Sequence, residues 1–194
     1  MKKIFIILLI FNIIPFSSFS IEPDVFVQST VNRASQILSK DISKEEKINQ
    51  LKVVAKNTVD IRGVGFYSLG SARKNLDNSQ KRQYLTLFEN YFLKSFSSRL
   101  SEYTNPKIEV QGKKVLNENY TIVNSLLIAT SERPEVKIDW RVYTKNPDNP
   151  LIRDLIIEGL SLARTQKEEF ASILNSYDGD INALFKTLEE FSKK

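Results

Sequence analysis

Asp154 and Glu158 are the carboxylates whose spacing most invites a catalytic reading, as a pair passing a proton or attacking a glycosidic bond. The stretch that carries them, Leu151 to Glu158, is rich in branched apolar residues and reads as a strand. On a strand, residues four apart share a face but stand about 13 Å from each other. Two carboxylates that cleave a glycosidic bond together are about 5 to 9.5 Å apart. The pair therefore cannot act jointly, and a helix cap, an ion pair or a loop tie is the expected work of each. Ser161 follows closely, yet no Gly-x-Ser-x-Gly elbow surrounds it and the chain has no histidine to take its proton. It reads instead as the N-cap of a helix. Asp139 and Arg141 alternate with apolar neighbours and read as solvated surface.

Histidine and cysteine are both absent from the 194 residues. That excludes a Ser-His-Asp triad, a Cys-His pair and an ordinary zinc site. What remains for catalysis is a carboxylate, a Ser-Lys arrangement, or a tyrosine or lysine acid. Without cysteine the fold must hold together by packing alone. Twelve Phe and seven Tyr against one Met indicate a ring-rich interior. Rings alone do not make a cavity.

The elements that would position these residues can be read from hydrophobic period. Pro23-Asp24 opens a helix whose apolar positions are Val27, Val31, Ala34, Ile37 and Leu38. Ser43, with Glu46 three residues on, starts a second helix carrying Ile48, Leu51 and Val54-Ala55. Asp60 precedes a short segment, Ile61 to Leu69, closed by Gly70. Asn78 or Ser79 is expected to cap the longest helix, with the stripe Leu85, Phe88, Phe92, Phe96, Leu100 and Tyr103. From Pro106 the period becomes two. Ile108 and Val110, the run Tyr120 to Ala129, then Val136, Ile138, Trp140 and Val142, and finally Leu151 to Glu158 give four strands. Helices return from about Ser161 to Ser176 and after Gly179. Helices, four consecutive strands, then helices describe an α+β fold with a four-stranded antiparallel sheet. One face of the third strand is wholly apolar and must be buried; the second strand is ambiguous, with Val123 and Leu127 taken as inward.

The first twenty residues have the order of a secretory signal peptide. Lys2 and Lys3 precede an apolar run from Ile4 to Ile14, Pro15, and Ser18-Phe19-Ser20 before an expected cut. The run is too short to span a bilayer. Residues 21–194 are then one domain in the periplasm. Without Lys2 and Lys3, 26 basic residues face 23 acidic ones, about +3. Such a balance suits anionic headgroups or acidic partners and argues against nucleic acid.

The stretch Leu151 to Leu174, LIRDLIIEGLSLARTQKEEFASIL, resembles the C-terminal signature of the MlaC, or toluene-tolerance, family of periplasmic phospholipid-binding proteins. Asp154, Glu158, Gly159, Ser161, Leu162 and Phe170 fall at that family's spacings, with Leu160 where Val is usual. Asp60 through Leu69-Gly70 is similar to its short helix. Gln80 to Tyr103, with Arg82, Phe88, Tyr91 and Leu100, resembles its long aromatic helix, and Val136 to Arg141 its third strand. The resemblance runs from about Pro23 to Leu188. Two departures stand out: Ser71-Ala72-Arg73 replaces an aromatic shortly after Leu-Gly, and Asn78-Ser79 replaces Thr/Ser-Pro. A docking surface around residues 71–80 is therefore not carried over.

What the resemblance implies is a shuttle for phospholipid between the outer and inner membranes; the chain is expected to be a monomer and not an enzyme, with no cofactor and no metal. Acyl chains would lie between sheet and helices, the headgroup near solvent. An inner-membrane ABC transporter with a lipid-binding ring and an outer-membrane lipoprotein complex would be its partners. The expected lining is Val64 and Tyr67 from the short helix, and Phe88, Phe92 and Phe96 from the long one. The sheet would add Val123, Leu127, Ile138, Trp140, Leu155 and Ile157, with Leu160 at the floor or mouth. Arg73 and Arg82 would meet the headgroup or a partner. Two other readings stay open: a periplasmic adaptor with a filled core, and an isomerase or hydrolase using one carboxylate in an apolar cavity.

Overall fold

A computed structural model describes residues 20–131 and 133–193. The expected leader, apart from Ser20, lies outside the described residues.

Helix α1 (Pro23–Leu38) begins on Pro23, whose missing N–H is no loss in a first turn. It buries Val27, Val31, Ile37 and Leu38 along the expected stripe. The Ser43 hydroxyl accepts the Glu46 N–H at 3.1 Å and starts α2 (Lys44–Thr58), which buries Leu51, Val54 and Ala55. Asp60 caps α3 (Ile61–Ser68) by accepting the Gly63 N–H at 2.8 Å. The chain leaves α3 through Gly70 at φ 57°, a left-handed conformation that a side chain would disfavour.

A 3₁₀ turn, Gly70–Lys74, leads to α4 (Asn78–Leu100). Its cap is Asp77, where the sequence reading has Asn78 or Ser79. Asp77 Oδ1 accepts the Gln80 N–H at 2.8 Å, and Gln80 Oε1 accepts the Asp77 N–H at 3.0 Å. Asn78 and Ser79 have Lys81 and Arg82 three residues on, which cannot return such a bond.

The sheet is an antiparallel meander in the order β1 (Ile108–Asn117), β2 (Tyr120–Leu127), β3 (Val136–Tyr143), β4 (Leu151–Ile157) and β5 (Leu160–Ser161). The α+β class is as expected, with five strands in place of four. The additional β5 has two residues, too few for alternation to reveal. Its pairing, Leu160 with Ile157 and Ser161 with Ile156, closes a two-residue turn at Glu158-Gly159. Ser161 then caps α5 (Leu162–Ser176), accepting the Arg164 N–H at 3.1 Å, and α6 (Ile181–Lys193) follows.

Two apolar bodies result. Helix α1 packs on β1 and β2, and α3 and α5 pack on β4. Helix α4 rests on α2, α3 and α6. The sheet body joins Val27 and Val31 to Val123, Trp140, Val142 and Ile152. The helical body joins Val64, Tyr84, Phe88 and Phe170 to Leu184 and Leu188. Val59, whose backbone bridges to Ile152, packs against both.

Candidate functional site

The sheet half is set by strand register. Thr121, Val123, Ser125 and Leu127 are buried and their alternates are not, so β2 turns these four inward. They pair with Val142, Trp140, Ile138 and Val136 on β3, which defines one apolar face. On β4, Leu155 lies opposite Trp140 and Ile157 opposite Ile138. A row therefore runs Ser125, Ile138, Ile157, Leu160 across the inner face and ends at β5. Burial falls along it: Ser125 is 3 % exposed, Ile138 8 %, and Leu160 59 %. Leu160 is thus the open rim of the inner face. The indole of Trp140 donates to Ser125 Oγ at 2.8 Å, and Ser125 Oγ donates to the Ile138 carbonyl at 3.0 Å. This chain of bonds satisfies the indole N–H, which would otherwise be costly to bury.

The helical half is a column of rings. Phe88 and Phe92 stack at 6.1 Å between centroids, and Phe92 and Phe96 at 5.6 Å and 10° between planes. Spacing of four residues on α4 places each ring a little over one turn from the last. The column is not uniform. Phe88 is 1 % exposed, held edge-on by Phe170 and flanked by Tyr84, whereas Phe92 and Phe96 are half-buried. Gly65 permits that enclosure: a Cβ there would stand 2.8 Å from the Phe88 ring. Tyr84, fully buried, donates its hydroxyl to the Gly65 carbonyl at 2.9 Å. Burial pushes its phenol well above the ordinary tyrosine range.

Of the residues expected to line one site, Val123, Leu127, Ile138, Trp140 and Leu155 come together on the sheet, with Ile157 half-buried and Leu160 at the edge of the same face. Val64, Phe88 and Phe92 come together in the helical body, with Phe96 stacked beyond. Tyr67 is 42 % exposed, with the Lys167 ammonium 5.4 Å from its ring centre. Arg73 and Arg82 are both exposed, one in the 3₁₀ turn and the other near the start of α4. Sequence reasoning missed Gly65, Tyr84, Ser125 and Val59. Tyr84 alone gave a signal, since it lies four residues before Phe88 on the same helix face.

The polar residues first considered for catalysis have structural work. Asp154 accepts the Ser161 hydroxyl at 2.6 Å and the Ala163 N–H at 3.0 Å, and Arg141 Nη1 lies 3.6 Å from it. It is both a helix cap and an ion-pair partner, on the outer face of the sheet. Glu158 accepts the backbone N–H of Lys137 through its carboxylate. Arg153 forms the other joint: it donates to Asp60 Oδ2 and to the Tyr120 hydroxyl, and lies 3.7 Å over the Tyr143 ring. Partial burial works against its charge, yet the bonds to Tyr120 and Asp60 hold its pKa above the ordinary value. Two surface depressions, of about 400 and 390 Å³, are lined by α1 residues such as Asn32 and Ser35 and by outer-face residues such as Asn124 and Asp139. Neither is lined by the ring column. Among the described residues there is no cluster of carboxylates that would hold a metal, and no helix is long and apolar enough to cross a membrane.

Residues 28–190 match the family model described as MlaC protein. The chain belongs to the MlaC family. No curated protein matches it. A solved structure that it resembles is the phospholipid-binding protein from Ralstonia solanacearum, determined in complex with a phospholipid. The TM-score is 0.75 over 89 % of this chain and 98 % of that one, at 19 % identity. At that identity the likeness establishes the MlaC-type fold.

Proposed function

We propose that this chain carries phospholipid through the periplasm between the outer and inner membranes, and so helps maintain outer-membrane lipid asymmetry. The observation that carries the reading is the divided apolar interior: an inner sheet face open at Leu160 and a ring column whose last two members are only half-buried. Membership of the MlaC family and the phospholipid in the Ralstonia protein support the choice of ligand. Acyl chains would lie between Phe92 and Phe96 on one side and Trp140, Leu155 and Ile157 on the other. Residues 1–20 would direct export and be removed. The donors and acceptors would be an outer-membrane lipoprotein complex and the lipid-binding ring of an inner-membrane ABC transporter.

Two chains of about 15 methylenes each, at about 0.8 kcal/mol per methylene, carry a gross transfer free energy of roughly 24 kcal/mol out of water. That exceeds what ordinary non-covalent affinity reaches, so the competitor that matters is the bilayer. A carrier needs an interior nearly as dry as the membrane, and the tails need no polar anchor. The sheet face suits that requirement: the Trp140 indole donates to Ser125 Oγ, and Ser125 Oγ donates in turn to the Ile138 carbonyl.

Trp140 is the sole tryptophan, which makes the test specific. Loading with phospholipid brominated along its acyl chains should quench most of the emission, and unbrominated lipid should not. Unquenched emission from a sample verified to hold brominated lipid would remove the inner sheet face as the site.

A further inference from the structure

We infer that Glu158 is a positioning residue: by tying the β4–β5 hairpin to β3 it fixes Leu160 at the rim, and so sets how long a bound lipid stays. The inference rests on the carrier reading and adds to it a residue that touches no cargo.

Both residues of the two-residue turn have positive φ, 49° at Glu158 and 83° at Gly159. Turns of this kind favour Asn or Asp before Gly, because the left-handed region crowds any Cβ and their short polar side chains offset the cost by hydrogen-bonding the local backbone. A glutamate there calls for a compensating contact, and Lys137 supplies it. The Glu158 N–H donates to the Lys137 carbonyl at 3.0 Å. The returning bond, from the Lys137 N–H, goes to Glu158 Oε1 and not to the backbone carbonyl of residue 158. The carboxylate thus completes the last rung of the β3–β4 ladder, which the left-handed turn would otherwise leave open. Asparagine or aspartate would suit the backbone, but glutamate has the extra methylene to reach back.

Downstream, Asp154 holds the Ser161 hydroxyl and the Ala163 N–H. Leu160 therefore sits between two anchored points while remaining 59 % exposed. An apolar side chain held firmly in an open position, at the end of the row from Ser125 through Ile157, is placed to close over whatever lies on the inner face.

The test compares wild type, Glu158→Ala and Glu158→Gln, each loaded with pyrene-labelled phosphatidylglycerol and mixed with excess unlabelled vesicles of phosphatidylethanolamine and phosphatidylglycerol. Loss of the Lys137 bond in Glu158→Ala should speed release roughly tenfold, the ratio equivalent to about 1.4 kcal/mol. Glu158→Gln, which keeps an acceptor oxygen, should stay within about a factor of two of wild type, and amide exchange at Lys137 should rise only in Glu158→Ala. Gly159→Ala is a second route to the same effect if Glu158→Ala does not fold. Its Cβ would meet no atom within 4 Å, so it strains only the turn. Wild-type release from folded Glu158→Ala, or release from Glu158→Gln as fast as from Glu158→Ala, overturns the inference alone. Failure of wild type to take up any phospholipid overturns the carrier reading, and this inference with it.

Discussion

Leu160→Glu separates cargo binding from folding, and its magnitude follows from the geometry of the rim. Leu160 is 59 % exposed, so the folded protein without lipid gains little from it. A substitution at such a surface position typically changes stability by less than about 0.5 kcal/mol. With lipid present the balance differs. Full burial of a leucine side chain is worth about 1.5–3 kcal/mol, so covering its exposed three-fifths with an acyl chain contributes about 1–2 kcal/mol. A glutamate in its place forfeits that contribution and adds the cost of partly desolvating a carboxylate, about 2 kcal/mol or more. The sum, about 3 kcal/mol or more, corresponds to at least a hundredfold loss of lipid retention. Retention is measured as the fraction of protein still carrying lipid after incubation with acceptor vesicles, and a thermal melt of the same samples checks the fold. Leu160→Ala removes only the apolar contact, about 1–2 kcal/mol, and should lose about five- to thirtyfold. A folded Leu160→Glu protein with wild-type lipid occupancy would refute the placement of Leu160 at the mouth.

Asp154→Ala should behave in the opposite way, because its partners belong to the fold. It strands the Ser161 hydroxyl and the Ala163 N–H and deprives Arg141 of its partner, a loss of about 2–4 kcal/mol read from the denaturant midpoint; a change below about 0.5 kcal/mol would mean that α5 is held some other way. A pH effect is expected where α1 meets β1. The hydrogen bond from Lys113 holds the Asp24 carboxyl below its ordinary 3.8, so its contribution is present above that value and lost as pH falls through the lowered pKa. Hydrogen bonds to Asp24 and Glu22 raise Lys113 above 10.5, so its contribution is present below that value and lost as pH rises through the raised one. The stability gap between wild type and Lys113→Met should therefore be flat near neutrality and narrow at both extremes; a gap that is constant from pH 3 to 11 would show that the pair does not act electrostatically.

The sheet was the more legible half of the molecule. The alternation of Val136, Ile138, Trp140 and Val142 with Lys137, Asp139 and Arg141 dictates a buried face, and pairing then settles β2, whose own residues are apolar on both sides. Caps were legible at Ser43, with Glu46 three residues on, and at Asp60, directly before the run Ile61 to Leu69. At α4 the acceptor lay one residue earlier than the polar pair that draws attention. The buried arc of α4 was harder, because a single stripe describes a helix with one packed side. Neighbours α2, α3 and α6 widen that arc, so Tyr84, Leu93 and Ser97 are buried while Leu85 and Leu100 of the expected stripe are only half-buried. Tyr67 illustrates a different limit. Val64 and Ser68, four apart, mark the buried side of α3, and Tyr67 projects beside it toward Lys167, a neighbour distant in sequence. The closeness of Gly65 to Phe88 belongs to the same class: a glycine inside a short helix does not name the ring that packs against it.

The claim that this chain carries phospholipid is tested most directly by native mass spectrometry of the mature protein purified from a membrane-rich extract, with the released ligand identified by fragmentation. The account predicts a folded protein heavier by the mass of a phospholipid, with that added mass lost in Leu160→Glu. A folded wild-type protein at its bare polypeptide mass, unchanged after incubation with phospholipid vesicles, would contradict it.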